Sequence, residues 1–325
     1  MKVFRSLLDV EASGALSGAA VAIGNLDGVH LGHRELLRIA REAARTRGAP
    51  AAVLTFDPHP VRVLRPAVAP PLLTLLPRKL ELLAELGVDG AVVQPFDLGY
   101  AATSAREFVD RDLAVRLGAA DVVVGWDFTA GHERARVDRL RPLLEARGIR
   151  LHVVEPVTSD GLVVSSTKIR EFLLEGKVDA AADLLARPHD VDGVVAHGAG
   201  RGRGIGFATA NVRTEALLPA NGVYVVRARV GGRLDGGRLA GDVAYDGVCN
   251  VGVKPTVEAD GRVGAEVHLL DFDGRDLYGE RIRVAFLARL REERRFPSID
   301  ALRAQIADDV EAARRLLRAA PPGPM

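Results

Sequence analysis

The sequence predicts an α/β half built on a parallel sheet, followed by a small antiparallel barrel and a closing helix. Three observations predict it. From Ala19 to about Pro156 short apolar runs alternate with longer amphipathic ones, from Val191 onward the runs become β-branched or alternating, and from Ile299 apolar residues recur at intervals of three and four.

In the first half the strand candidates are Ala19 to Ile23, Ala51 to Phe56, Gly90 to Val93, Asp121 to Gly125 and Leu151 to Val154, all rich in Val, Ala and Leu. Helical patterns lie between them at Arg34 to Arg47, Arg78 to Leu86, Ala105 to Leu117 and Arg136 to Arg147. Strands without polar alternation are buried on both faces, so the helices must cover both sides of the sheet. Two short helical patterns, Thr167 to Leu174 and Val178 to Leu185, then precede Arg187-Pro188 and a glycine-rich stretch. The change of texture places a domain boundary near residue 187, giving domains 1–187 and 188–325.

In the second half the runs Val191 to Ala196, Gly222 to Val230, Arg238 to Cys249, Gly264 to Leu270 and Glu280 to Phe286 have Gly and Asp between them. Such spacing reads as an antiparallel barrel. Ile299, Leu302, Ile306, Val310, Ala313 and Leu317 then form the stripe of an amphipathic helix, with Ser298 placed to cap it. The tail Pro321-Pro322-Gly323-Pro324 is expected to fray.

Composition narrows the function classes. A chain of 325 residues favours two modules with separate cores, and 48% hydrophobic with 27% charged residues is ordinary for a soluble protein. Lys and Arg number 44 against 43 Asp and Glu, so the net charge argues for neither a nucleic-acid nor a membrane surface. Small molecules are the expected partners, and the oligomeric state stays open. Cys249, the only cysteine, excludes an internal disulfide framework and a multi-cysteine zinc site. Asp9 and Glu11 interrupt the apolar run a signal peptide would need, and no stretch is long and apolar enough for a bilayer. A cytoplasmic protein is expected.

Directly after the first strand candidate comes Gly24-Asn25-Leu26-Asp27-Gly28-Val29-His30-Leu31-Gly32-His33, leading into a helix. In an open α/β sheet ligands bind beyond the carboxyl ends of the strands, where a helix N-terminus offers unpaired N–H groups to phosphate. Two histidines three apart fall on one face of a first helical turn and can both donate to phosphate oxygens. Displacing pyrophosphate needs such donors rather than a protein nucleophile when the acceptor brings its own oxyanion. The alternatives are a capping histidine beside a packed one, or a metal site with His59 as third ligand.

The segment resembles the histidine-glycine-histidine signature of the nucleotidylyltransferases. Thr55-Phe56-Asp57-Pro58-His59-Pro60, Gly125-Trp126-Asp127-Phe128 and Ser165-Ser166-Thr167-Lys168-Ile169-Arg170 follow in order. With them, nearly the whole chain resembles the bacterial bifunctional riboflavin kinase and FAD synthetase family. The resemblance implies a Rossmann-like nucleotidyltransferase domain ahead of a barrel-shaped riboflavin kinase domain. It makes His30 and His33 catalytic, and it gives Gly24, Asn25, Asp27, Asp127, Ser165, Ser166, Thr167 and Arg170 to ATP and its phosphates. Read alone, Ser165 to Arg170 is sooner a helix cap followed by a solvated arginine, whereas Asp57 and Asp127 are equally ligand contacts and loop aspartates that cap neighbouring helices.

A second constellation is Gly198-Ala199-Gly200-Arg201-Gly202-Arg203-Gly204-Ile205-Gly206, followed by Phe207-Ala208-Thr209-Ala210-Asn211. It is not a Walker A loop, since no Gly-Lys-Ser or Gly-Lys-Thr occurs anywhere. Thr209 and Asn211, two apart in an extended segment, put hard oxygen donors on one side, as Mg2+ requires. By resemblance Gly200, Gly202, Arg203 and Gly206 meet nucleotide phosphates, Thr209 and Asn211 hold Mg2+ with ATP as co-substrate, and Glu266 is the base for the riboflavin 5′-hydroxyl. In Gly264 to Leu270 alternation puts Ala265, Val267 and Leu269 on one face and Glu266 with His268 on the other. Asn250 to Thr256 and Leu290 to Phe296 also resemble the kinase half, with Arg291 the candidate flavin contact. The implied chemistry is phosphorylation of riboflavin to FMN, then adenylylation of FMN to FAD.

Ala208 stands where the family has proline, and Thr129, Ala130 and Gly131 follow Phe128 where it has arginine or threonine and then phenylalanine-glycine. These departures leave room for a paralogue acting on a modified flavin or with one weakened half-reaction. A non-catalytic flavin-binding regulator and a nucleotidylyltransferase for another acceptor are the further alternatives.

Overall fold

The computed structural model describes residues 1–197, 209–235, 238–253 and 263–319. The chain divides into two units, residues 1–70 with 79–164 and residues 71–78 with 165–325.

In the first unit six parallel strands, β1 (Lys2–Phe4), β2 (Ala20–Ile23), β3 (Ala51–Asp57), β4 (Gly90–Pro95), β5 (Asp121–Gly125) and β6 (Arg150–Val154), lie in the order β1-β4-β3-β2-β5-β6. Successive side chains of β2 feed different cores, which is why its run is apolar throughout. Val21 and Ile23 pack with Phe4, Leu54 and Phe108, while Ala22 packs with Leu37, Leu83 and Val123. The helices are α1 (Leu7–Ser13), α2 (Leu31–Arg47), α3 (Pro60–Leu64), α4 (Leu76–Glu85, of which residues 79–85 belong to this unit), α5 (Leu98–Ala101), α6 (Ala105–Glu107) and α7 (Val137–Glu145), and a short antiparallel pair, β7 (Thr158–Ser159) and β8 (Leu162–Val163), follows β6. α2 turns Leu36, Leu37, Ala40 and Ala44 inward and ends at Gly48 in the left-handed conformation, φ 62°, the usual glycine stop.

Departures from the expectation fall at the start of the chain and in the helix after Ser104. β1 and α1 lie outside the expected pattern, because three strand residues carry no readable period and α1 is set by its caps, Ser6 and Gly14. The helix expected over Ala105 to Leu117 starts with a capping box between Ser104 and Glu107 but continues as a π-helix over Phe108–Arg116. Asp112, fully buried there, accepts from Tyr100 Oη at 3.0 Å and is flanked by Arg111 and Arg116, each 2.9 Å away. The widened turn thus carries a buried carboxylate that a simple apolar stripe does not reveal.

In the second unit α8 (Ser166–Leu174) and α9 (Val178–Leu185) precede the barrel strands β9 (His189–Ala196), β10 (Ala210–Arg213), β11 (Gly222–Asp235), β12 (Arg238–Val253), β13 (Val263–Leu269) and β14 (Arg281–Arg291). They close in the order β10-β13-β12-β11-β14-β9, with every pairing antiparallel and β9 returning to β10. Closure removes the exposed edges that an open sheet would otherwise present. Ser298 caps α10 (Ile299–Ala319), accepting from Ala301 N at 3.1 Å, and Ala313 and Leu317 of that helix pack on Val223, Val225 and Val248.

A buried ion pair ties segment 71–78 to β9. Arg78 donates through Nε and Nη2 to Asp190 Oδ2 at 2.9 and 2.6 Å, with only 3% and 4% of the side chains exposed. Burial alone would raise the Asp190 carboxyl, but Arg78, Arg187 and Arg283 outweigh it and hold the group below the usual carboxylate range. Its contribution to stability is therefore complete above pH ~4, the unfolded value, and fades as pH falls further. Asp190→Asn should lower the stability of this unit by about 3–5 kcal/mol at pH 7, because it strands a buried guanidinium. Urea titrations should show the gap from wild type narrowing below pH ~4.

Candidate active sites

The sheet order places the histidine segment. β3 and β4 extend to one side of β2 and β5 and β6 to the other, so the chain leaves β2 and β5 in opposite directions and opens a crevice at their carboxyl ends. Gly24 to His33 follows β2, and Asp127 follows β5 with its carboxylate exposed.

The turn between β2 and α2 bends sharply. Leu26, Gly28 and Val29 adopt positive φ values of 52°, 89° and 44°. Glycine takes this conformation without cost, but a β-branched valine does not. Leu26 and Val29 are both fully buried among Leu36, Leu37 and Val53, so core packing offsets the strain.

His30 is then the N-cap of α2 with extended backbone, yet its side chain makes no capping hydrogen bond. Its ring stacks on that of His33 instead, with centroids 3.6 Å apart and planes 19° apart. A Cβ on Gly32 would lie 3.2 Å from His30 Cε1, so the glycine between the histidines makes room for the stack. The α2 N-terminus carries no acidic side chain in its first turn, which leaves its positive end available to an anion. An open cavity of about 630 Å³ runs along α2, lined among others by Leu31, Arg34, Arg38, Val153, Val154 and Val157.

Asn25 and Asp27 belong to the same turn. Lys79, from α4, donates to Asn25 O at 2.7 Å, and Thr55 Oγ1 donates to that same oxygen at 3.2 Å. Asp27 and Lys79 are buried. On the other core of the sheet Phe56, Phe96 and Tyr100 form an aromatic cluster with ring centroids 5.7–6.1 Å apart. Burial, with the Asp112 carboxylate, pushes the Tyr100 phenol up, so it stays a hydrogen-bond donor. Lys79, Phe96 and Tyr100 were not singled out from sequence. Lys79 follows Arg78 on an amphipathic helix and has the look of a solvated cation.

In the second unit Ser165 caps α8, its side chain accepting from Lys168 N at 3.2 Å, with Ser166 and Thr167 in the first turn. Arg170 Nε donates to Pro71 O at 2.8 Å. The structure therefore gives Ser165 the capping role that the sequence also allowed.

Barrel register brings the other candidates together. Asn211 on β10 pairs directly with Glu266 on β13, and Glu266 pairs on its other side with Asn250 on β12. Residues directly opposite share a face with Cβ atoms about 4.5–5.5 Å apart, so an amide, a carboxylate and a second amide stand in a row. All three are half-buried, while Ala265, Val267 and Leu269 are buried as the alternation predicts. Thr209 is half-buried two residues before Asn211. Asn250 is recognised only through this register. Gly200, Gly202, Arg203, Gly206 and Ala208 lie outside the described residues. Arg291, read from sequence as a flavin contact, has its guanidinium on Asp309 of α10, with Nε and Nη2 at 3.0 and 2.8 Å from the carboxylate.

Comparison with known proteins bears on both constellations. The FAD synthetase family profile matches residues 13–168 and the riboflavin kinase profile matches residues 185–317. A bifunctional riboflavin kinase/FMN adenylyltransferase of Pseudomonas fluorescens is 40% identical over 301 residues, covering 92% of this chain and 93% of the relative. Those of Escherichia coli K12 and Bacillus subtilis strain 168 are 38% and 35% identical, covering 97% and 91% of this chain and 97% and 92% of the relatives. A solved structure described as a macrolide-efflux protein from Streptococcus pneumoniae is 31% identical, with a TM-score of 0.80 over 96% of this chain and 98% of that one. Among the described residues no helix is long and apolar enough to cross a membrane.

Proposed function

Because the chain belongs to the family of bifunctional riboflavin kinase/FMN adenylyltransferases, we propose that it makes FMN from riboflavin and ATP, then FAD and pyrophosphate from FMN and ATP. The domain assignment is 1–187 for adenylyl transfer and 188–325 for phosphorylation. The observation that carries the reading is that one chain holds two unlike sites of matching chemistry. Stacked His30 and His33 stand at a helix N-terminus on the switch point of a parallel sheet, and the Asn211-Glu266-Asn250 row crosses three barrel strands.

In adenylyl transfer the FMN phosphate is the nucleophile and attacks the α-phosphorus of ATP, with pyrophosphate leaving. His30, His33 and the α2 N–H groups are placed to stabilise the charge that builds on the phosphate oxygens. Gly24, Asn25, Asp27 and Asp127 are proposed to meet the nucleotide. The cavity along α2, where Leu31, Val153, Val154 and Val157 stand with Arg34 and Arg38, suits an adenine ring and its phosphates, and Phe56, Phe96 and Tyr100 suit the flat isoalloxazine. Ser165, Ser166, Thr167 and Arg170 offer hydroxyl, backbone and guanidinium donors to phosphates.

In phosphorylation Glu266 takes the proton of the 5′-hydroxyl as that oxygen attacks the γ-phosphorus of ATP, the bond from that phosphorus to the β-γ bridging oxygen breaks, and ADP leaves. Thr209 and Asn211 fit Mg2+, which accepts one or two protein oxygens when phosphate and water complete its shell. Bound there, the ion would neutralise polyphosphate charge. Gly200, Gly202, Arg203 and Gly206 are proposed to meet the nucleotide, and a cytoplasmic setting remains the expectation.

The test uses the purified full chain with riboflavin, ATP and Mg2+, followed by chromatography. FMN should appear first and FAD after it, and omitting Mg2+ should stop both steps. Absence of both products rejects the proposal, while FMN without FAD selects a chain with a weakened second half-reaction.

A further inference from the structure

We infer that Lys79 is a positioning residue of the adenylyl-transfer site, fixing the Asn25 to Asp27 turn by holding the Asn25 carbonyl with its ammonium group. The inference rests on the adenylyltransferase reading above. Lys79 is 6% exposed, and its Nζ lies 2.7 Å from Asn25 O. Thr55 Oγ1 donates to the same oxygen, so two donors from different elements fix one carbonyl. That carbonyl opens the run of positive φ angles at Leu26, Gly28 and Val29 that delivers His30 to the start of α2.

Such a turn keeps its shape only if its surroundings over-determine it. An alkyl side chain would fill the position on α4 without the cost of burying a charge, so packing alone does not explain a lysine. Asp27, itself 2% exposed, and Asp57 supply the compensating negative field. Burial pushes the Lys79 ammonium below the ordinary lysine range, and those two carboxylates oppose the shift. The ammonium thus serves the turn and its aspartates, and through them the placement of His30. Lys79 needs no contact with substrate to do so.

The predicted signature is a loss confined to one of the two reactions and to its kcat. Lys79→Met leaves the buried Asp27 without its cation, so the variant should melt lower than wild type, and rates are compared at a temperature where it is folded. Its kcat for FAD formation from FMN should nevertheless fall about 10- to 100-fold, because a misplacement of about 1 Å at a reacting centre costs that much. KM for ATP and FMN should each stay within about threefold, as expected when the loss is confined to the transition state. Lys79→Gln, which keeps an N–H for the carbonyl without the charge, should recover part of that kcat. A melting curve with circular dichroism checks that the first unit is folded at the assay temperature, and riboflavin phosphorylation should be unchanged because its proposed groups lie in the second unit.

A Lys79→Met enzyme with kcat within about threefold of wild type would overturn the inference. So would a loss seen only in KM, or a loss of FAD formation that disappears when the rate is measured well below the variant's melting temperature. Failure of both variants to fold also overturns it, making Lys79 a structural ion. A wild-type chain that forms no FAD from FMN rejects the adenylyltransferase reading itself, and this inference falls with it.

Discussion

His30→Ala should lower FAD formation from FMN and ATP about 10²- to 10³-fold, the loss expected when one preorganised donor to a developing oxyanion is removed. FMN formation from riboflavin should persist, because its proposed groups lie on the barrel strands. The size of the effect follows from the site's geometry. His30 sits at the N-cap without spending its side chain on the cap, and Gly32 leaves room for the ring to stack on His33. A truncated side chain removes a donor and also the surface that orients His33. The His30→Ala/His33→Ala double variant should therefore lose less than the product of the single losses, since groups acting as a unit are not additive. Initial rates with FMN supplied directly make the measurement. FAD formation by His30→Ala within about threefold of wild type would leave the pair as ordinary helix-start residues.

Much of this architecture was legible because its elements carry strong periodic signals. β5 and α9 fall where their apolar patterns place them, and Glu266 alternates with buried neighbours as the strand period requires. Legibility stopped where structure depends on partners distant in sequence. β10 is four residues beside a glycine-rich run, and it exists as a strand through β9 and β13 on either side. Lys79 is ordinary in a helical pattern and becomes informative only when Asn25 is found 2.7 Å away, 54 positions earlier. Arg291 illustrates the converse. Its charged neighbourhood reads as a solvated or ligand-facing surface, whereas Asp309, 18 residues on, receives its guanidinium. The histidine segment was readable because motif and position agree, a strand end followed by a helix start at the reversal of strand order.

Glu266→Gln should reverse the first pattern, lowering riboflavin phosphorylation about 10²- to 10⁴-fold, the usual worth of a positioned general base. FAD formation from supplied FMN should continue. Glutamine keeps the shape and the half-buried place on β13, so the barrel register should survive and the loss should lie in kcat. Asn211 and Asn250 flank the carboxylate through direct cross-strand pairing, and their amides can orient it without competing for the substrate proton. Glu266→Asp keeps an acceptor one methylene shorter, so it should retain more activity than Glu266→Gln if proton acceptance is the role. Equal losses in the two variants would instead assign Glu266 to side-chain placement, and an unimpaired Glu266→Gln kinase would move the base elsewhere. A chain that lost both reactions with either substitution, while melting as wild type does, would contradict two independent sites. The histidine and glutamate variants together therefore test whether the two chemistries are separable within one polypeptide.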